Sequence, residues 1–430
     1  MRRICTYMFF FLLAAPLRGQ ADSVLVVRGQ VVGGGGAVPY ATLQLQGTSV
    51  GVVSNDAGHY ELRLPAGSEG KAVVVRSIGF QQAVRSVGSL LKEGRIVLQT
   101  QPIELQEVQV SDYRDGRSLV NAVVERAGRN CHQRTAWSTF FCRDWRALQG
   151  ELYLFDEAVM RVQRAPYAAY ADKRGYVLNP CVREIESNIK TVLRHRLLVL
   201  DQGYLQRHIR KQLGVYQCLE FSDNDALFDP LATPQASYPL ARRMLLQHRF
   251  EPIQQFTADG EQYYLVRSVG PSRSKGSSRY EYIIRRSDLA LVRLTSVKVP
   301  VRVRAPQSAW VNVYFTHLHL DADSTVWTYG LRDSAYTLTR YYNAKTYRLT
   351  SYNRGRDGEV QRWEQSVDWH LTDFSLTAPP PGGVPIEVKP QTLGDAFGSS
   401  DYSSDFWGLY NAIPLDTLPL RLLQQKFNSR

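Results

Sequence analysis

The chain has 430 residues, 44% hydrophobic and 21% charged, a globular balance with length for roughly two or three hydrophobic cores. Beyond its first residues no stretch approaches the ~18 consecutive apolar positions of a membrane-spanning helix, which excludes a polytopic helical membrane protein. A large outer-membrane barrel is not expected, because it needs more strands of about ten residues than this chain easily supplies behind its first domain.

Residues 1–21 read as a secretory leader. Arg2 and Arg3 form a charged start, Ile4 to Pro16 an apolar run too short to span, and Gly19 and Ala21 supply small residues for cleavage. Cys5 lies at the start of the apolar run, not at its end, and so is not placed for lipid attachment. Removing this leader leaves Cys131, Cys142, Cys181 and Cys218. In an exported protein these are candidates for one or two structural disulfides, with the pairing open. A metal reading finds no C-x-x-C and no Cys–His pair at usable spacing. The formal net charge is +12, and a leader with three arginines and no acids leaves +9. Such a surface suits anionic envelope neighbours, or is solubility charge spread over the chain. Nucleic acid is not a partner expected of an exported protein.

Residues 22–111 predict a small β-sandwich. Ala41, Leu43 and Leu45 alternate with Thr42, Gln44 and Gln46; Tyr60, Leu62 and Leu64 alternate with Glu61 and Arg63; Val73 to Val75 form a fully apolar strand. Asn55-Asp56-Ala57-Gly58 predicts a tight turn, with Asp56 a turn former rather than a calcium ligand.

The motif order in this segment is informative: Gly29 and Val31; Pro39, Ala41 and Leu43; Gly47-Thr48; Asn55, Asp56, Gly58 and Tyr60; Ser77, Gly79 and Phe80; Leu105, Glu107, Val108 and Val110. It resembles the carboxypeptidase-regulatory-like domain. The resemblance implies a transthyretin-like β-sandwich of the kind found in cell-envelope proteins of Gram-negative bacteria, including TonB-dependent receptors. It implies that the last strand leads into a second domain. Further on, Phe140-Phe141, Arg143-Asp144, Glu157-Ala158-Val159 and Pro166-Tyr167, then Asp405-Phe406-Trp407, Tyr410-Asn411 and Ile413-Pro414, resemble the exported carboxypeptidase-like regulatory domain-containing proteins.

Residues 112–377 predict a β-rich domain with helices near 118–128 and 183–213. In the first, Leu119, Val120, Val123, Val124 and Ala127 form one apolar stripe, with Ser118 as N-cap. In the second, Ile185, Ile189, Val192 and Leu193 share a face beside many Arg and Lys, so the helix is expected to cover a sheet with its basic face solvated. Glu157, near Arg143, Asp144 and Arg161, is expected to be a buried ion-pair member that fixes strand register. The aromatic-rich runs from 214 to 377 predict a curved antiparallel meander. His317, His319, Asp321 and Asp323 at i, i+2 spacing predict a solvated polar face rather than a metal site. Tyr314, His317, His319, Trp327 and Tyr329 are the candidate ligand surface. Residues 378–430 predict a Pro-rich arm and a C-terminal docking segment in which Phe406, Trp407 and Tyr410 tie the end to the sheet.

The fold class is mainly β. Of the eight His only His248 has Glu three residues on, at Glu251, and there is no G-x-S-x-G or phosphate-binding loop. No catalytic, cofactor or metal residue is assigned. The expectation is a non-enzymatic, exported protein, periplasmic or at the outer membrane. Its adaptor domain accompanies a sheet domain that binds an envelope protein, lipid or glycan. The alternatives are a lipid or glycan carrier or transport-associated component, and less so a metallopeptidase-related enzyme.

Overall fold

The computed structural model describes residues 24–48, 50–101, 106–107, 113–164, 167, 185–191, 230–231, 240, 245–270, 277–298, 301–303, 315–351, 360–377, 385–386 and 411–428. The leader, Cys181, Cys218, Tyr314, residues 214–229 at the start of the predicted meander, and Phe406, Trp407 and Tyr410 lie outside them.

The first domain contains β1 (Val24–Gly33), β2 (Gly36–Ala37), β3 (Thr42–Leu45), β4 (Gly51–Val53), β5 (His59–Pro65), β6 (Ala72–Arg76), β7 (Ala83–Ser86), helix α1 (Val87–Lys92) and β8 (Arg95–Leu98). One sheet runs β2-β1-β5, with β8 parallel to β1; the other runs β4-β3-β6-β7. The period-2 pattern dictates this: Leu43, Leu45, Tyr60, Leu62, Leu64, Val73 and Val75 are buried between the sheets, while Glu61 and Arg63 are not. Gly58 takes φ +75° in the predicted turn, where an added Cβ would lie 2.4 Å from the Val31 carbonyl oxygen, so only glycine fits.

The second domain begins with β9 (Gln106–Glu107), α2 (Gly116–Asn130), β10 (Ala136–Leu148), β11 (Glu151–Arg164) and β12 (Ile185–Thr191). It continues with β13 (Arg249–Phe250), β14 (Gln254–Ala258), β15 (Glu261–Val269), β16 (Ser278–Arg285), β17 (Leu291–Lys298) and β18 (Val301–Val303). The long strands β19 (Phe315–Arg332), β20 (Ala335–Ser351) and β21 (Val360–Ser375) follow, then β22 (Pro385–Ile386) and helix α3 (Thr417–Asn428). Among the described residues these strands form one 14-stranded sheet, with twelve in the order β22-β12-β11-β10-β21-β20-β19-β17-β16-β15-β14-β9, β13 paired to β15 and β18 to β19. From β14 to β21 it is the predicted meander. The hairpin β10–β11 then joins the free edge of β21, so the domain's first two long strands lie beside its last long one.

Two expectations change. Ile185–Thr191 is a strand paired with β11, not part of a helix; the rest of 183–213 lies outside the described residues. The reason is arithmetic: Ile185 and Ile189 are four apart, which satisfies a period of two as well as 3.6, and β-branched residues favour the strand when an edge is open. In α2 the N-cap is Asp115, whose carboxylate accepts from Ser118 N, while the Ser118 hydroxyl returns a bond to the Asp115 backbone N–H.

The sheet has two dressed faces. Leu119, Val120, Val123 and Ala127 of α2 pack on one, against Val266, Tyr282, Ile284 and Leu294. The sandwich sits on the other, at the β10–β11 end. Alternation in β10 divides the two: Phe140 and Cys142 belong to the helix-bearing core, Phe141 to the sandwich core, together with Val159 and Ile413.

The C-terminal segment holds this junction. Asn411 bonds both the N–H and the carbonyl of Arg63 at the edge of β5 (2.6 and 2.9 Å). Asn55 Nδ2 donates to Leu415 O at 2.6 Å. Asp56 N donates to Asp416 Oδ1 at 2.9 Å, and Asp56 Oδ1 accepts from Thr417 N and Oγ1 at 2.8 and 2.9 Å. The Asn-Asp turn of the sandwich therefore caps the first turn of α3, and Pro419 removes another N–H that would need a partner. Leu415, Leu418 and Leu422 then cover Trp145, Ala147, Leu152 and Phe155. Asp56→Ala should destabilise the folded chain by about 1–2 kcal/mol, the loss expected of a helix cap. Urea unfolding of this variant and of Asp56→Asn checks it; an unchanged midpoint for Asp56→Ala contradicts the capping role.

Candidate functional site

The helix-bearing face changes character along its strands. Its centre is apolar and aromatic: Tyr282 on β16, Leu294 on β17, Trp327 on β19, Tyr341 on β20, Trp369 on β21 and Phe140 on β10, all buried. Trp327 and Tyr341 stand opposite in register with ring centroids 6.0 Å apart, and Phe140 and Trp369 are 5.8 Å apart. Two or four residues further along the same strands the face is polar: Ser296, Asp323, Thr325, Asn343, Gln365 and the pair Asp144–Arg146. Asn343 Nδ2 donates to Asp323 Oδ1 (3.1 Å) and Thr325 Oγ1 (2.8 Å), and Lys298 Nζ reaches Asp323 Oδ2 (2.5 Å). The Gln365 amide is 2% exposed and has no hydrogen-bond partner at either end; Asn343 Oδ1 has none either.

A second cluster lies near the start of α2. His248 Nδ1 is 3.1 Å from Ser268 Oγ, its ring stacks on Tyr280 (4.9 Å), and Arg117 donates to its carbonyl at 3.0 Å. Burial, with Arg117 nearby, pushes the imidazole down to about 4. No sequence spacing announced this Ser–His contact, since the residues meet only through the pairing of Phe250 with Ser268.

Between sheet and sandwich lies a layer of buried charge. Arg143 grips Glu157 Oε1 (2.9 and 2.6 Å) and donates to the carbonyls of Ile413 and Pro414. Arg340 and Asp368 form a two-pronged pair (3.1 and 2.9 Å), with His370 Nε2 2.9 Å from Asp368 Oδ1. Above them Tyr40, at φ +55°, lays its ring 4.1 Å from the Arg340 guanidinium and its hydroxyl 3.5 Å from Asp416. Burial alone would raise Asp368; Arg340 and then His370 overcome that and hold it well below the usual carboxylate range. Burial lowers His370 against the opposing pull of Asp368, and burial raises Asp416.

The two lowered histidines set a pH dependence. Both bind a proton less readily folded than unfolded, so unfolding takes up protons below about 6.5, and their contribution is full above that pH and is lost as pH falls. Denaturation midpoints should therefore fall from about pH 6.5 downward, and His248→Gln with His370→Gln should flatten that slope. A slope identical in wild type and double variant counts against this assignment.

Glu157 is the buried ion-pair member expected from the sequence. Cys142, a disulfide candidate from the sequence, is a buried free thiol in the helix-bearing core, its pKa raised by burial, and Cys131 is buried in the same core. Trp327 and Tyr329 do share that face but are buried. His317 and His319 sit on β19, and the expected polar stripe does not continue from them. A bulge between Leu320 and Ala322 sends Asp321 to the exposed Arg348 (2.6 Å) and Asp323 into the opposite, buried face. Among the described residues no group of three metal-ligating side chains converges, and no helix is long and apolar enough to cross a membrane.

The architecture is that of a small β-sandwich module seated on a large antiparallel sheet. Residues 27–110 are a CarboxypepD_reg-like domain, matching that family over the whole segment. No curated protein matches the chain. Among solved structures it is similar to the LolA superfamily protein NE2245 from Nitrosomonas europaea, with 9% identity over 61% of this chain and 94% of that one and a TM-score of 0.20. It is also similar to the MucA/MucB complex structure from Pseudomonas aeruginosa, with 8% identity over 59% and 93% and a TM-score of 0.18.

Proposed function

We propose that this chain is an exported, non-enzymatic binding protein of the cell envelope. The sandwich serves as a rigid adaptor, and the helix-bearing face of the sheet takes an apolar or amphipathic envelope molecule. One observation carries the reading: the two faces are dressed for different work. The sandwich face is closed by fixed ion pairs and by the C-terminal clasp. The opposite face carries a row of aromatic rings, buried in the same core as α2, that passes into polar side chains, three of whose hydrogen-bonding atoms are unmet. Binding sites are built this way, from apolar walls and a few placed polar groups.

Supporting the non-enzymatic part, the Ser268–His248 contact has both residues almost fully buried beneath Tyr280, and Glu157 serves Arg143. The test is expression with residues 1–21 in a Gram-negative host, fractionation, and detergent-free purification from the periplasm. Mass spectrometry of the solvent extract should show an amphiphile close to one per chain. A chain retained in the cytoplasm, or one that carries no such molecule and takes up none from envelope extract, overturns the reading.

A further inference from the structure

The sandwich has one closed side and one open side. At the edge of β5 the C-terminal segment is seated, through the bonds between Asn411 and Arg63. The other side is made by β7, α1 and β8. β7 is the last strand of its sheet and β8 pairs with β1, while α1 runs from one edge to the other and buries Val87 and Leu90. Among the described residues eight large apolar side chains are exposed, and four of them lie between residues 78 and 97: Ile78, Val84, Leu91 and Val97, each 43–54% exposed.

Charge gathers on the same stretch. Lys71, Arg76, Arg85, Lys92 and Arg95 are exposed, against two exposed acids, Glu69 and Glu93. None of the five cations is paired with a described carboxylate. Arg76 bonds Gln82 at 2.7 Å, and Arg85 bonds the Val84 carbonyl at 3.0 Å. On the outer face of the β1–β5 pair, by contrast, Arg28 and Arg63 both engage Glu61.

Solubility explains the cations but not the apolar side chains set among them, since an exposed valine on a strand edge invites association. Three occupants compete for such a side. A strand added to either edge is opposed by the edges themselves: each is four residues long and carries an arginine, Arg85 or Arg95. A second copy would bring the same five cations against these five. A lipid surface with anionic head groups meets both features, because its phosphates neutralise the cations and its interface takes up the apolar side chains.

We infer that the β7–α1–β8 side of the sandwich docks on an anionic lipid membrane, with Arg85, Lys92 and Arg95 against the head groups and Val84, Leu91 and Val97 seated among them. This goes beyond the ligand role proposed for the sheet and does not depend on it.

The test is sedimentation of the purified chain with phosphatidylcholine vesicles that contain or lack phosphatidylglycerol. Wild type should pellet with the anionic vesicles, stay in solution with the neutral ones, and be released as salt rises. Changing Arg85, Lys92 and Arg95 together to Gln should weaken partitioning about a hundredfold, the combined effect of three cations near an anionic surface. Changing Val84, Leu91 and Val97 together to Ser should weaken it about tenfold, as these side chains are half exposed. All six positions are exposed, so denaturation midpoints should stay close to wild type. A control with Arg114, Arg126 and Arg129, exposed at and along α2, changed to Gln removes equal charge and should bind nearly as wild type does. The inference falls if wild type ignores the anionic vesicles, if the α2 control loses as much as the Arg85 variant, or if the Ser variant binds like wild type. It falls too if sedimentation velocity shows a wild-type dimer that the Ser variant abolishes, which assigns this side to a second copy. Capture of an amphiphile by the sheet should be the same in all these variants, so failure here leaves the proposed function standing.

Discussion

Replacing Arg143 with Ala is expected to lower stability by about 3–5 kcal/mol, the range for removing one member of a buried ion pair. Arg143 is a hub rather than a simple partner. It neutralises Glu157 across the β10–β11 register, caps two carbonyls of the C-terminal segment, and stacks its guanidinium over Phe141 and Phe155 at 5.2 and 6.0 Å. Both charges are nearly shut off from water, with side chains 8% and 6% exposed. The loss therefore leaves Glu157 in a buried setting without the guanidinium that neutralises it. Adding Glu157→Gln should restore part of it, because the charge goes while the shape stays. Equilibrium unfolding of the single and double variants decides this. A loss below about 1 kcal/mol for Arg143→Ala, the range of a surface ion pair, would show that the layer is open to solvent.

Ending the chain at residue 410 should have the second large effect. Ile413 and Leu422 are each more than nine-tenths buried, and at about 1.5–3 kcal/mol per buried side chain they account for roughly 3–6 kcal/mol between them. The truncation also exposes Trp145, Leu152 and Phe155 and removes the bonds to Arg63, Asn55 and Asp56. The expected result is loss of coupling between the two domains: separate unfolding transitions for sandwich and sheet, and faster proteolysis in the connection between β8 and α2. A single transition at the wild-type midpoint would mean that the sandwich is held by the sheet alone. In that case Asp56→Ala should also be silent, so the two experiments check each other.

The sandwich was legible from the chain because each of its signals is local. Alternation at Tyr60, Leu62 and Leu64 is set by the pleat, and the need for glycine at position 58 by the turn. The role of the neighbouring Asp56 was only half legible. As a turn former it is visible from its neighbours; as the cap of a helix 361 residues away it is not. The same limit explains the other differences. The segment 185–191 has a spacing of four that two periods satisfy, and the open edge of β11 selected between them. Asp321 and Asp323 seemed to share a face until a single extra residue in β19 turned one outward and one inward.

The sequence by itself determined the mainly β composition, the family character of the first domain, the meander and the ion-pair role of Glu157. These follow from periodicity, turn chemistry and the high cost of burying a charge alone. The tertiary structure decided which strands became neighbours across long separations: β10 beside β21, and the C-terminal segment against both domains. The buried Arg340–Asp368 layer, the Ser268–His248 contact and the unmet amide of Gln365 all arise from those choices. Strand pairing over such distances is settled by the packing of whole faces, and no short stretch of residues carries that information.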